Sequence, residues 1–169
     1  MKQNILKITF LGVFAAIAIV LSYIELLLPP IWSAVPGIKV GLPNIIIIFL
    51  LYKFSFKAAA MVSFLRLFAM ALLFGNAVTF VYSFAGATLS LAIMWVLKRT
   101  HLFSQIGVSI AGGVSHNIAQ LIVAVLLLKT KEIGLYAPVL AVAGTVAGIF
   151  VGLTGILLLR YTKNIKLDL

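Results

Sequence analysis

Long apolar runs, most of them followed by basic residues, succeed one another along the chain. The first covers 8–28, and runs of similar length cover 56–74, 77–97, 106–128 and 134–159. A helix of about 20 apolar residues crosses the hydrocarbon core of a bilayer. Because 64% of the residues are hydrophobic and 9% are charged, the chain has too few polar side chains to cover a water-soluble globule. The pattern predicts an all-α integral membrane protein.

A further apolar run, 42–52, is too short to cross the bilayer as a helix, since eleven residues rise only about 17 Å. Pro43 suits its first turn. We expect this helix to begin inside the protein, where unwound backbone must be buried or line a cavity. The sequence thus predicts one six-helix transmembrane domain over 1–169, with helices at about 8–28, 42–53, 56–74, 77–97, 106–128 and 134–160.

Basic residues are distributed unequally between the two sides of the predicted membrane. The segments on the side of the N-terminus hold nine of the thirteen Lys and Arg, the opposite segments hold three, and Arg66 lies within a span. Cytoplasmic loops carry the excess of Lys and Arg. Both termini are therefore expected in the cytoplasm, with 29–41, 75–76 and 129–133 outside.

Several kinds of chemistry are excluded by composition. The chain has no Cys, so it has no thiolate nucleophile and no zinc–sulfur site. Asp168 is the one Asp, which leaves no acidic cluster for Mg²⁺ and diphosphate. There is no phosphate-binding loop of the G-x-x-x-x-G-K-[ST] type, and the net charge of +10 is dispersed between apolar runs rather than gathered for nucleic acid. We expect a protein that is not an enzyme and that holds neither metal nor cofactor.

Charged residues in or near the spans are candidates for a binding site. Arg66 lies near the middle of the third run, where an Arg costs at least about 2.5–3.5 kcal/mol unless it faces a cavity or a partner. It is predicted either to contact a ligand or to form a structural pair. Glu25, in the last turn of the first helix, is either an interfacial carboxylate or a cavity-lining acid paired with Arg66 or Lys39. Arg66 and Lys39 hint at an anionic ligand, whereas Trp32, Tyr82 and Phe84 hint at a flat or apolar one.

The fifth run carries the densest polar cluster, SIAGGVSHNIAQ. His116 and Gln120 share one helix face, and Asn117 borders it. Two hypotheses remain open here: a binding site, or hydrogen bonds that join neighbouring helices. Arg66 and His116 each lie ten residues from the inner end of their runs, so both are expected at one depth, roughly 15 Å into the membrane. Asn76 and Tyr82, on the fourth helix, are further candidate binding residues.

Small residues indicate where helices pack closely. Gly144, Gly148 and Gly152 recur at four-residue spacing on the sixth helix, a signature of close backbone contact. The pair Gly112 and Gly113 lets a neighbouring backbone or a ligand approach the fifth helix. On the first helix a small stripe suggests contact with a partner subunit; its members are Gly12, Ala15, Ala16 and Ala18.

Three blocks of the sequence resemble a known family: 37–52, 75–99 and 109–128. They are similar to the small bacterial membrane proteins called Gx transporters, a family also labelled heptaprenyl diphosphate synthase component I. These proteins are similar in turn to the substrate-binding S components of energy-coupling factor (ECF) transporters. The resemblance implies a six-helix S-component fold in the bacterial inner membrane, with an outward pocket capped by the loop after the first helix.

The resemblance also implies partners and a function. An S component docks on a transmembrane T subunit with two ATPases, and the small residues of its first helix form that contact. The leading hypothesis is a subunit that binds a small nutrient or a prenyl- or quinone-related precursor for uptake. The alternative is a non-catalytic membrane component associated with heptaprenyl diphosphate synthesis or with extracellular electron transfer.

Overall fold

A computed structural model describes residues 2–28 and 40–163. Within these residues the chain is helical and contains no strand, which confirms the predicted all-α membrane class. The described residues form six α-helices, with a short 3₁₀ helix, Lys131–Tyr136, before the last. Their bounds are α1 Lys2–Leu27, α2 Asn44–Lys53, α3 Phe56–Phe74, α4 Ala77–Thr100, α5 Gln105–Leu128 and α6 Ala137–Tyr161.

Five of the described helical segments are long and apolar enough to cross a membrane; they are Lys7–Leu27, Phe56–Phe74, Ala77–Thr100, Gln105–Leu128 and Lys131–Tyr161. The ten-residue α2 is the exception, since it is only about 15 Å long. Its side chains from Ile45 to Leu51 are all buried. A helix that is apolar all round belongs in a protein interior, and α2 accordingly lies inside the bundle.

The helix order around the bundle follows from which helices touch. Helices α2, α3, α4, α5 and α6 form a closed ring in which each contacts the next and α6 returns to α2. Helix α1 lies outside this ring, against α3 and α2. The core is formed mainly by α2, with Val62, Leu91 and Val151 from three surrounding helices.

The breaks between helices are set by local capping. Ser55, Asn76 and Ser104 each accept a hydrogen bond from a backbone N–H in the first turn of α3, α4 and α5. Such caps satisfy N–H groups that have no partner within the helix. The starts of α3, α4 and α5 lie within one residue of those predicted from the apolar runs, whereas α1 begins six residues before its predicted start.

Helices α5 and α6 meet backbone to backbone, and glycine makes this contact possible. A Cβ on Gly148 would lie 2.5 Å from Cα of Ile110, and one on Gly144 would lie 2.7 Å from the Gly113 carbonyl oxygen. A Cβ on Gly152 would lie 3.0 Å from Cα of Ile106. The predicted close-packing face of α6 is confirmed, and its partner is the glycine-containing face of α5.

Candidate functional site

One end of the bundle contains a cavity of about 130 Å³. This is well above the ~10–15 Å³ that admits one water, so a small organic molecule fits. The cavity lies where α1 and α3 end and where α2, α4 and α6 begin. The polar and charged side chains of its wall are Ser22, Glu25, Asn44, Arg66, Thr79, Ser83, His116, Asn117 and Gln120.

Arg66 is the cation of this wall, and it is only 8% exposed. Its Nη1 donates to Oγ of Ser22 across 3.4 Å, at the long end of hydrogen-bond distances. Its Nε is buried and has no hydrogen-bond partner within the described residues. A guanidinium presents five N–H donors and no acceptor. An acceptor group inside the cavity would therefore complete the hydrogen bonding of Arg66.

Glu25 stabilises the unwound backbone just before α2. Its Oε1 accepts hydrogen bonds from the N–H groups of Gly41 and Leu42. Gly41 has φ +81°, a conformation that glycine adopts without steric cost. Non-helical backbone at membrane depth needs such partners. The predicted start of α2 inside the protein is thus confirmed, and Gly41, Pro43 and Asn44 line the cavity as expected.

Glu25 and Arg66 line the same cavity but do not form a direct ion pair. Both belong to the described part of the chain, and no nitrogen–oxygen contact within 4.0 Å joins them. The carboxylate instead contacts backbone, and the guanidinium contacts Ser22. Of the alternatives made from the sequence, Glu25 lines the cavity but is not directly paired with Arg66, so the wall carries two separate charges.

The polar cluster of α5 has features of both hypotheses made from the sequence, a binding site and a helix–helix contact. His116, Asn117 and Gln120 all line the cavity. Asn117 also donates from Nδ2 to the Leu140 carbonyl oxygen across 2.8 Å, which joins α5 to α6. The ring of His116 packs on Gly86 of α4. The cluster thus serves both as cavity wall and as helix–helix contact.

The remaining predicted residues lie elsewhere. Asn76 is exposed and caps α4, with its Oδ1 accepting from the N–H and the hydroxyl of Thr79. Tyr82 is half-buried and does not belong to the cavity wall. The cavity wall takes Thr79 and Ser83 from this helix instead, and a binding role for Asn76 and Tyr82 stays a prediction. Lys39 lies outside the described residues.

Sequence reasoning missed four polar residues of the wall: Ser22, Asn44, Thr79 and Ser83. Ser22 precedes Glu25 by three residues, so a charged residue on that helix face was the available signal. Asn44 directly follows Pro43 at the predicted internal helix start. Within the described residues no group of three or more His, Asp or Glu is arranged to hold a metal ion.

The small stripe of α1 faces two ways. Ala15 and Ala18 are buried in the chain's own core, at 6% and 0% exposure, which corrects their assignment to a partner contact. Gly12 and Ala16 are exposed, and a Cβ on Gly12 would meet nothing within 4 Å. For these two positions, contact with a partner subunit stays a prediction.

Fold and cavity together define a multi-pass α-helical membrane protein with a charged, polar cavity at one end of its bundle. The family described as heptaprenyl diphosphate synthase component I matches residues 14–158, most of the chain. The chain belongs to this family. Comparisons with curated proteins and with solved structures found no match.

Proposed function

We propose that this protein is a substrate-binding membrane subunit that takes up a small polar molecule. The observation that carries the proposal is the buried Arg66 on a cavity wall, with hydrogen-bonding capacity that the described residues leave unused. Ionisable residues within membrane spans are costly and generally mark substrate or ion pathways. The cavity also lies where helices end and begin, as transporter sites do.

The orientation of the cavity agrees with uptake. The distribution of basic residues favours cytoplasmic termini in the bacterial inner membrane. The cavity residues of α1, α2 and α4 lie toward the opposite helix ends, and those of α3 extend from Arg66, near its middle, to Gly75 just after its last turn. Under this orientation the cavity lies toward the outer side of the protein.

The energy source of this uptake would come from other subunits, because the sequence has no phosphate-binding loop for ATP. We propose the arrangement of an ECF transporter, in which this chain is the S component beside a T subunit and two ATPases. The exposed Gly12 and Ala16 of α1 would form part of that contact.

A second function is favoured by the family match. The family's description names one component of a heptaprenyl diphosphate synthase, so the chain would act as a non-catalytic membrane component beside a catalytic one. The cavity wall does not favour a diphosphate as its ligand, since the cation and the anion of its described lining, Arg66 and Glu25, leave no excess positive charge. This accessory function would therefore depend on membrane attachment rather than on the cavity.

Mass spectrometry of small molecules released from the purified protein tests the binding function. We expect wild type to release a molecule that Arg66→Gln and Arg66→Lys retain poorly, because Lys lacks the planar fork of donors. Arg99→Gln is the matched control, since Arg99 is exposed and stacks on Trp95 at the far end of α4. Equal release from wild type and both Arg66 variants would reject the proposal. Stimulation of prenyl transfer by the chain, without such a molecule, would favour the accessory function.

A further inference from the structure

We infer that the molecule bound in this cavity carries no net charge and presents a carboxylate at Arg66 and an ammonium or other cationic donor at Glu25. This inference rests on the proposed binding function and adds the chemical class of the ligand. It differs from the anion that Arg66 and Lys39 suggest in the sequence.

The charges of the cavity wall indicate the net charge of the ligand. The charged side chains of its described lining are one guanidinium, Arg66, and one carboxylate, Glu25. Together they are neutral. Transfer of an uncompensated charge into a poorly solvated interior is costly. Against the two charges of the described lining, a net anion would leave a negative excess, whereas a zwitterion leaves none.

The separation of Arg66 and Glu25 leaves each charge available to a ligand. Arg66 and Glu25 do not approach within 4.0 Å of each other, although both line one cavity. A direct pair would neutralise both charges and leave neither for a ligand. The open arrangement instead offers two charged sites, and a small molecule with two opposite charges can contact both.

The hydrogen-bonding capacity of Arg66 and Glu25 indicates which ligand group each would contact. Arg66 has a buried Nε without a partner in the described chain, and guanidinium groups bind carboxylates through two parallel hydrogen bonds. Glu25 uses Oε1 for the backbone of Gly41 and Leu42, and an ionised carboxylate accepts at two oxygens with about four lone pairs. Its Oε2 therefore has capacity for a cationic donor. The amides of Asn117 and Gln120 can orient the remainder of the molecule.

The size of the cavity limits the candidates. A volume of about 130 Å³ suits a small molecule. A diphosphate is a poor match as well, because its several negative charges would face one guanidinium and one carboxylate. Amino acids, short ω-amino acids and their N-methylated derivatives have the required charges.

The decisive measurement is the formal charge of the molecule that wild type releases and Arg66→Gln does not. A molecule that is net neutral at pH 7, with both an acid and a basic nitrogen, is the expected result. A net anion would overturn the inference while the binding function stands. Identical release from wild type and Arg66→Gln would instead reject the binding function itself.

A second measurement uses defined probes: glycine, β-alanine, 4-aminobutanoate and 6-aminohexanoate, each compared with the carboxylic acid of equal length that lacks the amine. At millimolar concentration, the best amino acid is expected to raise the Tm of the detergent-purified protein by at least about 2 °C more than its matched acid. Glu25→Gln, which keeps an oxygen acceptor for Gly41 and Leu42, should abolish this difference. Equal stabilisation by the matched acids in wild type, or an unchanged difference in Glu25→Gln, would contradict the role given to Glu25.

Discussion

The imidazole of His116 packs directly on Gly86, so closely that a Cβ at Gly86 would lie 2.9 Å from Cε1 and Nε2 of the ring. The contact joins α4 to α5 at the cavity, because His116 lines the cavity wall and Gly86 is buried on the facing helix. The position of one cavity residue is therefore set by the absence of a side chain on its neighbour.

Gly86→Ala is expected to move the His116 ring and to weaken retention of the bound molecule. The added methyl group either displaces the imidazole into the cavity or separates α4 from α5, and overpacking of this kind typically costs about 1–3 kcal/mol. Mass spectrometry of released molecules and thermal unfolding in detergent measure the two effects. Gly134→Ala is the control, since a Cβ at Gly134 meets nothing within 4 Å. Unchanged retention and Tm in Gly86→Ala would contradict this expectation, because the His116 ring would then accommodate the methyl group without effect.

Gly148→Ala should lower the stability of the bundle by forcing α5 and α6 apart. Its Cβ would lie 2.5 Å from Cα of Ile110 and 2.8 Å from the Ser109 carbonyl oxygen, and backbone cannot shift as a flexible side chain does. Gly12→Ala tests the same substitution on an open helix face, where replacing Gly gains up to about 1 kcal/mol of helix propensity. We expect opposite changes in Tm. A similar small change in both variants would contradict the close contact of the two helices.

Glu25→Ala should destabilise the segment before α2, whereas Glu25→Gln should largely preserve it. Alanine leaves the N–H groups of Gly41 and Leu42 without their acceptor, at a cost of about 1–3 kcal/mol for buried groups. Glutamine keeps an oxygen in place. Hydrogen–deuterium exchange at the Gly41 and Leu42 amides measures the difference directly. Equal protection in wild type and Glu25→Ala would mean that other groups hold this backbone.

The proposed orientation predicts opposite labelling of two introduced cysteines. A Cys at Ser33 should react with a membrane-impermeant reagent from outside, and a Cys at Leu102 should react only after the inner face is exposed. Leu102 is exposed between α4 and α5, and the chain has no native Cys to interfere. The basis is the nine-to-three distribution of Lys and Arg. The reverse labelling pattern would invert the topology and place the cavity in the cytoplasmic half.

Contact with a larger membrane subunit should depend on Gly12 and Ala16. Replacing both with Leu fills a small, exposed patch of α1 and should abolish co-purification with that subunit while the isolated chain still folds. Val142→Leu with Val146→Leu is the matched control on α6, since both are exposed and apolar. An unchanged yield of the complex in the α1 variant would remove this patch from the interface.

Part of the site could be predicted from the sequence because charged and polar side chains have a high free-energy cost in a membrane span. Arg66, Glu25 and the polar cluster of α5 stand out against apolar runs, and their sequence depth places Arg66 and His116 at one level. The structure brings them to one cavity. The choice between Thr79, Ser83 and their neighbours Asn76 and Tyr82 depended on the rotation of α4 about its axis, which weakly polar residues on several faces do not determine.

The sequence by itself determined the membrane class, most of the breaks between helices and the internal start of α2. These follow from local quantities: the length of apolar runs, the caps at their ends, and the cost of unsatisfied backbone in lipid. Tertiary structure alone decided which side chains meet. Glu25 contacts the backbone of Gly41 and Leu42 rather than Arg66, and Ala15 and Ala18 face inward while Gly12 and Ala16 face outward. The reason is that all four small residues of α1 are compatible with either environment, so only the packing of α1 on α2 and α3 selects the buried face.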